Sequence, residues 1–240
     1  MMALLLPARR RLFLLLAFLF ALLALFPLRL AFDMLALQEN GLSARAIHGG
    51  VWLGSIEQLK LGDIPLGNVE ARLSPLQLFA GRTRMDFKRQ TGGPDDLKGA
   101  VSVNSSSFGI DDVTANIGAG ESFAPLPVSG LGFQDVSVRF AGNACIHAEG
   151  RVTAHVASLI PGLDLPQGLS GEAICDGTAL LLPLVSQSGM EKLNLRVEGN
   201  GSYSAELLVR ASDPNQVTAL TGNGFVQAPG GYVLRLSGRL

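Results

Sequence analysis

Residues 12–28 form an uninterrupted run of uncharged, almost wholly apolar positions, LFLLLAFLFALLALFPL, entered directly from Arg9, Arg10 and Arg11. Seventeen such residues are just enough to cross a bilayer as a helix. Because the arginines stand on the amino side, the positive-inside rule holds residues 1–11 in the cytoplasm and sends everything beyond residue 30 across. A cleaved signal peptide would need small residues three and one positions before its cut. Leu25-Phe26-Pro27 and Arg29-Leu30-Ala31 fit that pattern badly, so the reading favours an uncleaved anchor over residues 12–30. No other stretch approaches 18 consecutive apolar residues, so the expected topology is single-pass, with a linker or short helix over 31–45 and a β-rich domain over 46–240.

Arg9, Arg10, Arg11 and Arg29 are the only charges before Asp33, which leaves the remainder with 15 of the 19 basic residues against all 20 acidic ones. An exported part carrying about five net negative charges has no basic footprint for nucleic acid. Cys145 and Cys175 both lie in that part, in a compartment that oxidises thiols, so a disulfide is the expected state. The alternative is a pair of buried free thiols. No further cysteine and no histidine pair at finger spacing supports zinc.

Beyond Asn40-Gly41 the hydrophobic period becomes two. Val51 and Leu53, Leu59 and Leu61, then Val69, Ala71 and Leu73 alternate with polar or small neighbours, punctuated by Gly54, Gly62-Asp63 and Gly67-Asn68. Ser74-Pro75 opens a short helical turn that Gly81 can close. Alternation resumes at Met85 and Phe87 and recurs over 97–103, 113–117, 136–140, 146–154, 193–197, 203–209 and 232–236. Short helices are expected only over 156–160 and 215–220, the second after Asp213-Pro214. The fold expected is mainly β, a curved antiparallel sheet or sandwich-like domain with few short helices. Sheets patterned on one side need a cover for that side, whether a second sheet, their own curl or something that is not protein.

Groups able to do chemistry are scarce. His147 and His155 are eight residues apart, more than 20 Å along a straight strand, so they share a metal only if the strand turns at Gly150. His48, beside Gly49-Gly50, reads as a turn residue. Neither GAGES at Gly118 nor GNGS at Gly199 has the nucleophile-elbow spacing, and no phosphate-binding loop occurs. The pairs Asp95-Asp96 and Asp111-Asp112 read as decoration of loops or strand ends, because consecutive strand residues point to opposite faces. No cofactor and no metal is called for. Trp52, the sole tryptophan, sits in GGVWLG, where it would anchor the first sheet, although plain core is the favoured reading; Gly50 and Gly54 on either side let another chain approach closely.

Three segments in order carry a resemblance: AIHGGVWLG at 46–54, LGNV at 66–69 and LSPLQLFAG at 73–81. They resemble the opening of the general secretion pathway protein N family of bacterial type II secretion systems. Its pattern is G-x-V-W-x-G, a strand pair, then W-x-L-x-P-x-x-L-x-x-G. Glu70 or Ala71 stands where that second tryptophan would fall; Trp52, Gly54, Pro75 and Gly81 keep their places, and Gly50 with them is expected to shape the structural motif. LDLPQGLSGEA at 163–173, both cysteines, LTGNGF at 220–225 and GYVL at 231–234 are similar to the family's second half. The resemblance implies a single-pass inner-membrane protein with a periplasmic β domain, an accessory part of the machine that exports folded proteins. It implies other secretion components as partners, reached by sheet edges or docking surfaces. It brings no catalytic residues. On the edge reading, Arg82, Arg84, Lys88 and Arg89 would protect the strand around Met85 and Phe87 from uncontrolled pairing. The rival reading is a lipid-handling protein similar to periplasmic AsmA-type bridges, with phospholipid on the apolar face; an exported enzyme is a third.

Overall fold

The computed structural model describes residues 8–34, 42–62, 64–89, 91, 96–118, 123–157 and 168–239. Two helices open the chain, α1 (Ala8–Ala24) and α2 (Leu28–Met34). A sheet of sixteen strands follows: β1 (Leu42–Ser43), β2 (Ala46–Gly50), β3 (Leu53–Leu61), β4 (Ile64–Leu73), β5 (Thr83–Arg89), β6 (Leu97–Val103), β7 (Ser107–Gly118), β8 (Val128–Ala141), β9 (Ala144–Val156), β10 (Leu169–Glu172), β11 (Ile174–Asp176), β12 (Ala179–Val185), β13 (Glu191–Val197), β14 (Ser202–Val209), β15 (Val226–Ala228) and β16 (Gly231–Arg239). The short helices α3 (Pro75–Phe79) and α4 (Pro214–Gly222) interrupt it.

Neighbours in sequence are neighbours in the sheet almost throughout, and every pairing is antiparallel. Of the curved sheet or sandwich-like domain expected, the structure shows one continuous antiparallel sheet, whose two halves carry two apolar clusters. The first gathers Ile56, Val69, Ala71, Leu97 and Val113 with Leu28 of α2. The second gathers residues from β8 through β16 with Leu220 of α4. β14 stands five strands from β8, a path of about 24 Å at normal strand spacing. Yet the ring of Phe123, just before β8, lies 5.7 Å from that of Tyr203 in β14. The segment before β8 therefore crosses the apolar face of the sheet, and Phe123 and Leu126 are buried there as part of its cover.

Bulges add local twist to the sheet. The three non-glycine residues with positive φ, Gln58, Asp112 and Asp135, each sit at a register shift, in β3, β7 and β8. An extra residue on one strand sharpens local twist and kinks the sheet. Gly150 (φ +96°) faces Asp135 across the β8–β9 ladder, where an added Cβ would stand 2.5 Å from the Asp135 carbonyl oxygen. Only glycine fits there.

Both interruptions follow their local chemistry. Ser74 and Pro75 start α3 with no side-chain cap, and Gly81 at φ +71° turns the chain into β5. Asp213 caps α4 by accepting from the Asn215 N–H at 2.7 Å, and Leu220 is driven fully into the second cluster. The other expected helix, over 156–160, is a strand end at Val156, and residues 158–160 lie outside the described residues. So do Asn40 and Gly41, Asp95 of the acid pair, and residues 163–167 of the second-half resemblance.

Candidate functional site

The junction of the apolar helix with the sheet has the most specific geometry. Along α1 the apolar side chains from Leu12 to Leu22 are exposed on all sides, Phe13 at 70 % and Phe20 at 73 %, so the helix does not pack on the sheet. Arg9, Arg10 and Arg11 occupy its first turn and are exposed. Among the described residues no helix is long and apolar enough to cross a membrane, α1 ending at Ala24 after 17 residues. The chain then bends through Leu25–Pro27 and α2 folds back onto the sheet.

There the glycines of GGVWLG act. Pro27 bridges Gly50, and the Val51 N–H donates to the Phe26 carbonyl at 3.0 Å. Leu28 and Phe32 are buried at 1 % and 4 % exposure. An added Cβ on Gly54 would stand 2.5 Å from Leu28 Cδ2, so the missing side chain is the socket that Leu28 fills. Val51-Trp52 is the tight turn joining β2 to β3, and from that turn rather than from a strand the half-buried indole packs against the first cluster. A two-residue turn and a docking socket fit within five residues because β2 and β3 register Gly49 on Gly54 and Gly50 on Leu53.

A second feature escaped the sequence reading altogether. Asp111 lies mid-strand in β7, 8 % exposed, and three guanidinium groups converge on it. Arg82 Nη2 donates at 2.6 Å, Arg139 Nη2 at 2.8 Å, and Arg84 Nη1 stands 3.6 Å away. Burial pushes the Asp111 carboxyl up, but a hydrogen bond from Ser102 and the charges of Arg82, Arg139 and Arg84 together hold it below the ordinary carboxylate range. Arg84 is raised above its ordinary value, chiefly by its hydrogen bond to Asp86. The bulge at Asp112 brings the next carboxylate round to the same arginine, 3.6 Å from Arg84 Nη2. Two consecutive acids thus meet one cation, against the expectation that they diverge.

This corrects the role given to Arg82 and Arg84. β5 is an interior strand, paired with β4 and β6, so there is no edge for them to protect. Lys88 registers on Glu70 and Lys98, and Arg89 donates to the Leu66 carbonyl. The arginines clamp four adjacent strands through one buried charge.

Cys145 of β9 and Cys175 of β11 form a disulfide, with Cα atoms 5.5 Å apart. Pro75 and Gly81 bound α3 and join neither the junction nor the arginine cluster. The histidines are separated: His48 faces Glu57 at 3.5 Å and His147 faces Glu149 at 3.4 Å. Among the described residues no three His, Cys, Asp or Glu side chains are grouped to hold a metal.

Comparison with known proteins now decides the family. The model of "Type II secretion system (T2SS), protein N" matches residues 40–235. The chain belongs to the type II secretion system protein N family. A curated relative, the type II secretion system protein N of Vibrio cholerae serotype O1, is 26 % identical over 198 residues, 75 % of this chain and 76 % of its own length. No solved structure matches. Family membership makes this chain an accessory component of type II secretion, and the matched span includes the turn, the socket and the disulfide.

Proposed function

We propose that this member is a non-catalytic subunit of the bacterial inner membrane, held there by α1, whose sheet lies in the periplasm and supports export of folded proteins through contacts with other secretion components. The observation that carries the reading is the junction: a helix apolar on every side, preceded by three arginines, runs directly into a segment stitched to the first hairpin. The apolar part of that helix, residues 12–24, is about 20 Å long, and its exposed side chains suit a hydrocarbon surrounding. Arg9, Arg10 and Arg11 can reach the headgroups, and local thinning of the bilayer accommodates an apolar stretch shorter than its core. On this reading the membrane segment ends near Ala24, and residues from Pro27 on belong to the sheet.

The test is secretion itself. In a strain lacking the chain, a folded substrate should accumulate in the periplasm and decline in the medium, and the full chain should restore it. Unchanged secretion would end the proposal.

One observation favours phospholipid as a second partner. Met85, Val101, Ile110 and Val138 form one cross-strand row, and Thr83, Val103, Phe108 and Phe140 the next, on the face that bridges the two clusters. Val101, Val103 and Phe108 remain 40–46 % exposed there. Lipid extraction from the purified chain, compared with a Val103→Asp/Phe108→Asp variant, tests this reading. Equal lipid in both would exclude the row as its site.

A further inference from the structure

The two margins of the sheet are finished differently. At the N-terminal margin, β1 and β2 together line β3, and the outer side of β2 is met by Pro27 and α2. At the other margin, β15 pairs with β16 only from Gly231 to Val233. β14 runs along the opposite side of β16 from Tyr232 to Arg239. Among the described residues no strand lies along the outer side of residues 234–239.

The hairpin fixes which backbone groups face outward. Pro229-Gly230 is a two-residue loop, so Ala228 and Gly231 form its closing hydrogen-bonded pair. In an antiparallel ladder every second residue turns its N–H and C=O to the same side. From Gly231 that series runs through Val233, Arg235, Ser237 and Arg239, the last three beyond the reach of β15. Among the described residues, three residues therefore present backbone donors and acceptors with no strand to receive them, beside β14, which is paired on both of its sides.

The side chains say what such a strand would carry. Arg235 and Arg239 are exposed, four residues apart on one face, and Arg235 Nε already donates to Glu206 on β14 at 2.7 Å. Pairing two copies antiparallel about Ser237 would set Arg235 of each against Arg239 of the other, and like charges directly opposite are destabilising. At the N-terminal margin Pro27 already occupies the outer side of β2 at Gly50. A strand with carboxylates opposite both arginines fits instead, and its alternate apolar residues would extend over the half-buried Leu236.

We propose that the outer side of β16 at Arg235, Ser237 and Arg239 is a strand-addition site for an extended acidic segment of another secretion component, a proposal that rests on the function above. Backbone pairing supplies the adhesion and the two arginines supply register. The test uses the full chain in detergent and two synthetic octapeptides, Glu-Val-Thr-Val-Glu-Val-Thr-Val and its counterpart with lysine for glutamate. The acidic peptide should bind about tenfold tighter than the basic one, and an Arg235→Glu/Arg239→Glu variant should reverse the order. Ser237→Pro should lower affinity at least about tenfold with the melting temperature unchanged, because the N–H it removes points away from β14.

Equal binding of the two peptides would overturn the proposal, as would a Ser237→Pro variant that binds normally or self-association through this edge in sedimentation. Normal secretion by a Ser237→Pro strain would also overturn it. Normal secretion by a strain lacking the chain would instead overturn the function proposed above, and the peptide measurement would stand.

Discussion

Asp111 offers the sharpest test of how this sheet is held. Substituting alanine leaves the guanidinium groups of Arg82, Arg84 and Arg139 converging on an empty centre. Removing one partner of a fully buried ion pair costs about 3–5 kcal/mol. The three arginine side chains are 25–32 % exposed, so water recovers part of that loss. A destabilisation of about 2–3 kcal/mol follows, or about 5–10 °C in melting temperature for a domain near 200 residues. Thermal unfolding of the purified full chain in detergent, followed by near-ultraviolet circular dichroism, measures it. Asp112→Ala, with its side chain 71 % exposed, is the control and should shift stability by less than about 0.5 kcal/mol. Because the folded carboxyl of Asp111 sits below its unfolded value, its contribution is fully present at neutral pH. It fades as pH falls from about 4 through the folded value, so parent and variant should converge in acid. A shift at neutral pH no larger than that of the control would refute the clamp.

Other substitutions read other parts of the fold. Gly54→Ala places a Cβ 2.5 Å from Leu28 and 2.9 Å from two backbone oxygens; it should cost about 1–3 kcal/mol and speed proteolysis between α1 and α2. Reducing the Cys145–Cys175 bridge opens a 30-residue loop and should cost about 3–4 kcal/mol, seen as a lower denaturant midpoint with dithiothreitol. Asp213→Ala removes the cap of α4 and should cost about 1 kcal/mol in chemical denaturation.

Strands such as β14, where Tyr203, Ala205, Leu207 and Val209 are buried in strict alternation, were legible because one face of a sheet writes itself into the sequence. β12 was not, because ALLLPLV does not alternate and carries Pro183. The disulfide could be anticipated from compartment and count. Trp52 packs on the first cluster as a core residue would, but from a turn and not a strand: alternation continues through a two-residue turn, so period alone does not separate a hairpin tip from a strand. The Asp111 cluster was hidden for two reasons. Its bonded members lie 20 to 29 residues apart along the chain, beyond the reach of any local period, and the bulge at Asp112 reverses the rule that neighbouring residues diverge. The open margin at β16 was equally invisible, since an edge is defined by what does not pair with it.

The central claim is that one apolar helix tethers an exported sheet, and topology tests it most directly. An alkaline phosphatase fused after residue 240 should be active in intact cells, and the fusion should stay with carbonate-washed inner membrane. Activity confined to the cytosol, or release of the intact fusion into the soluble periplasmic fraction, would contradict the account.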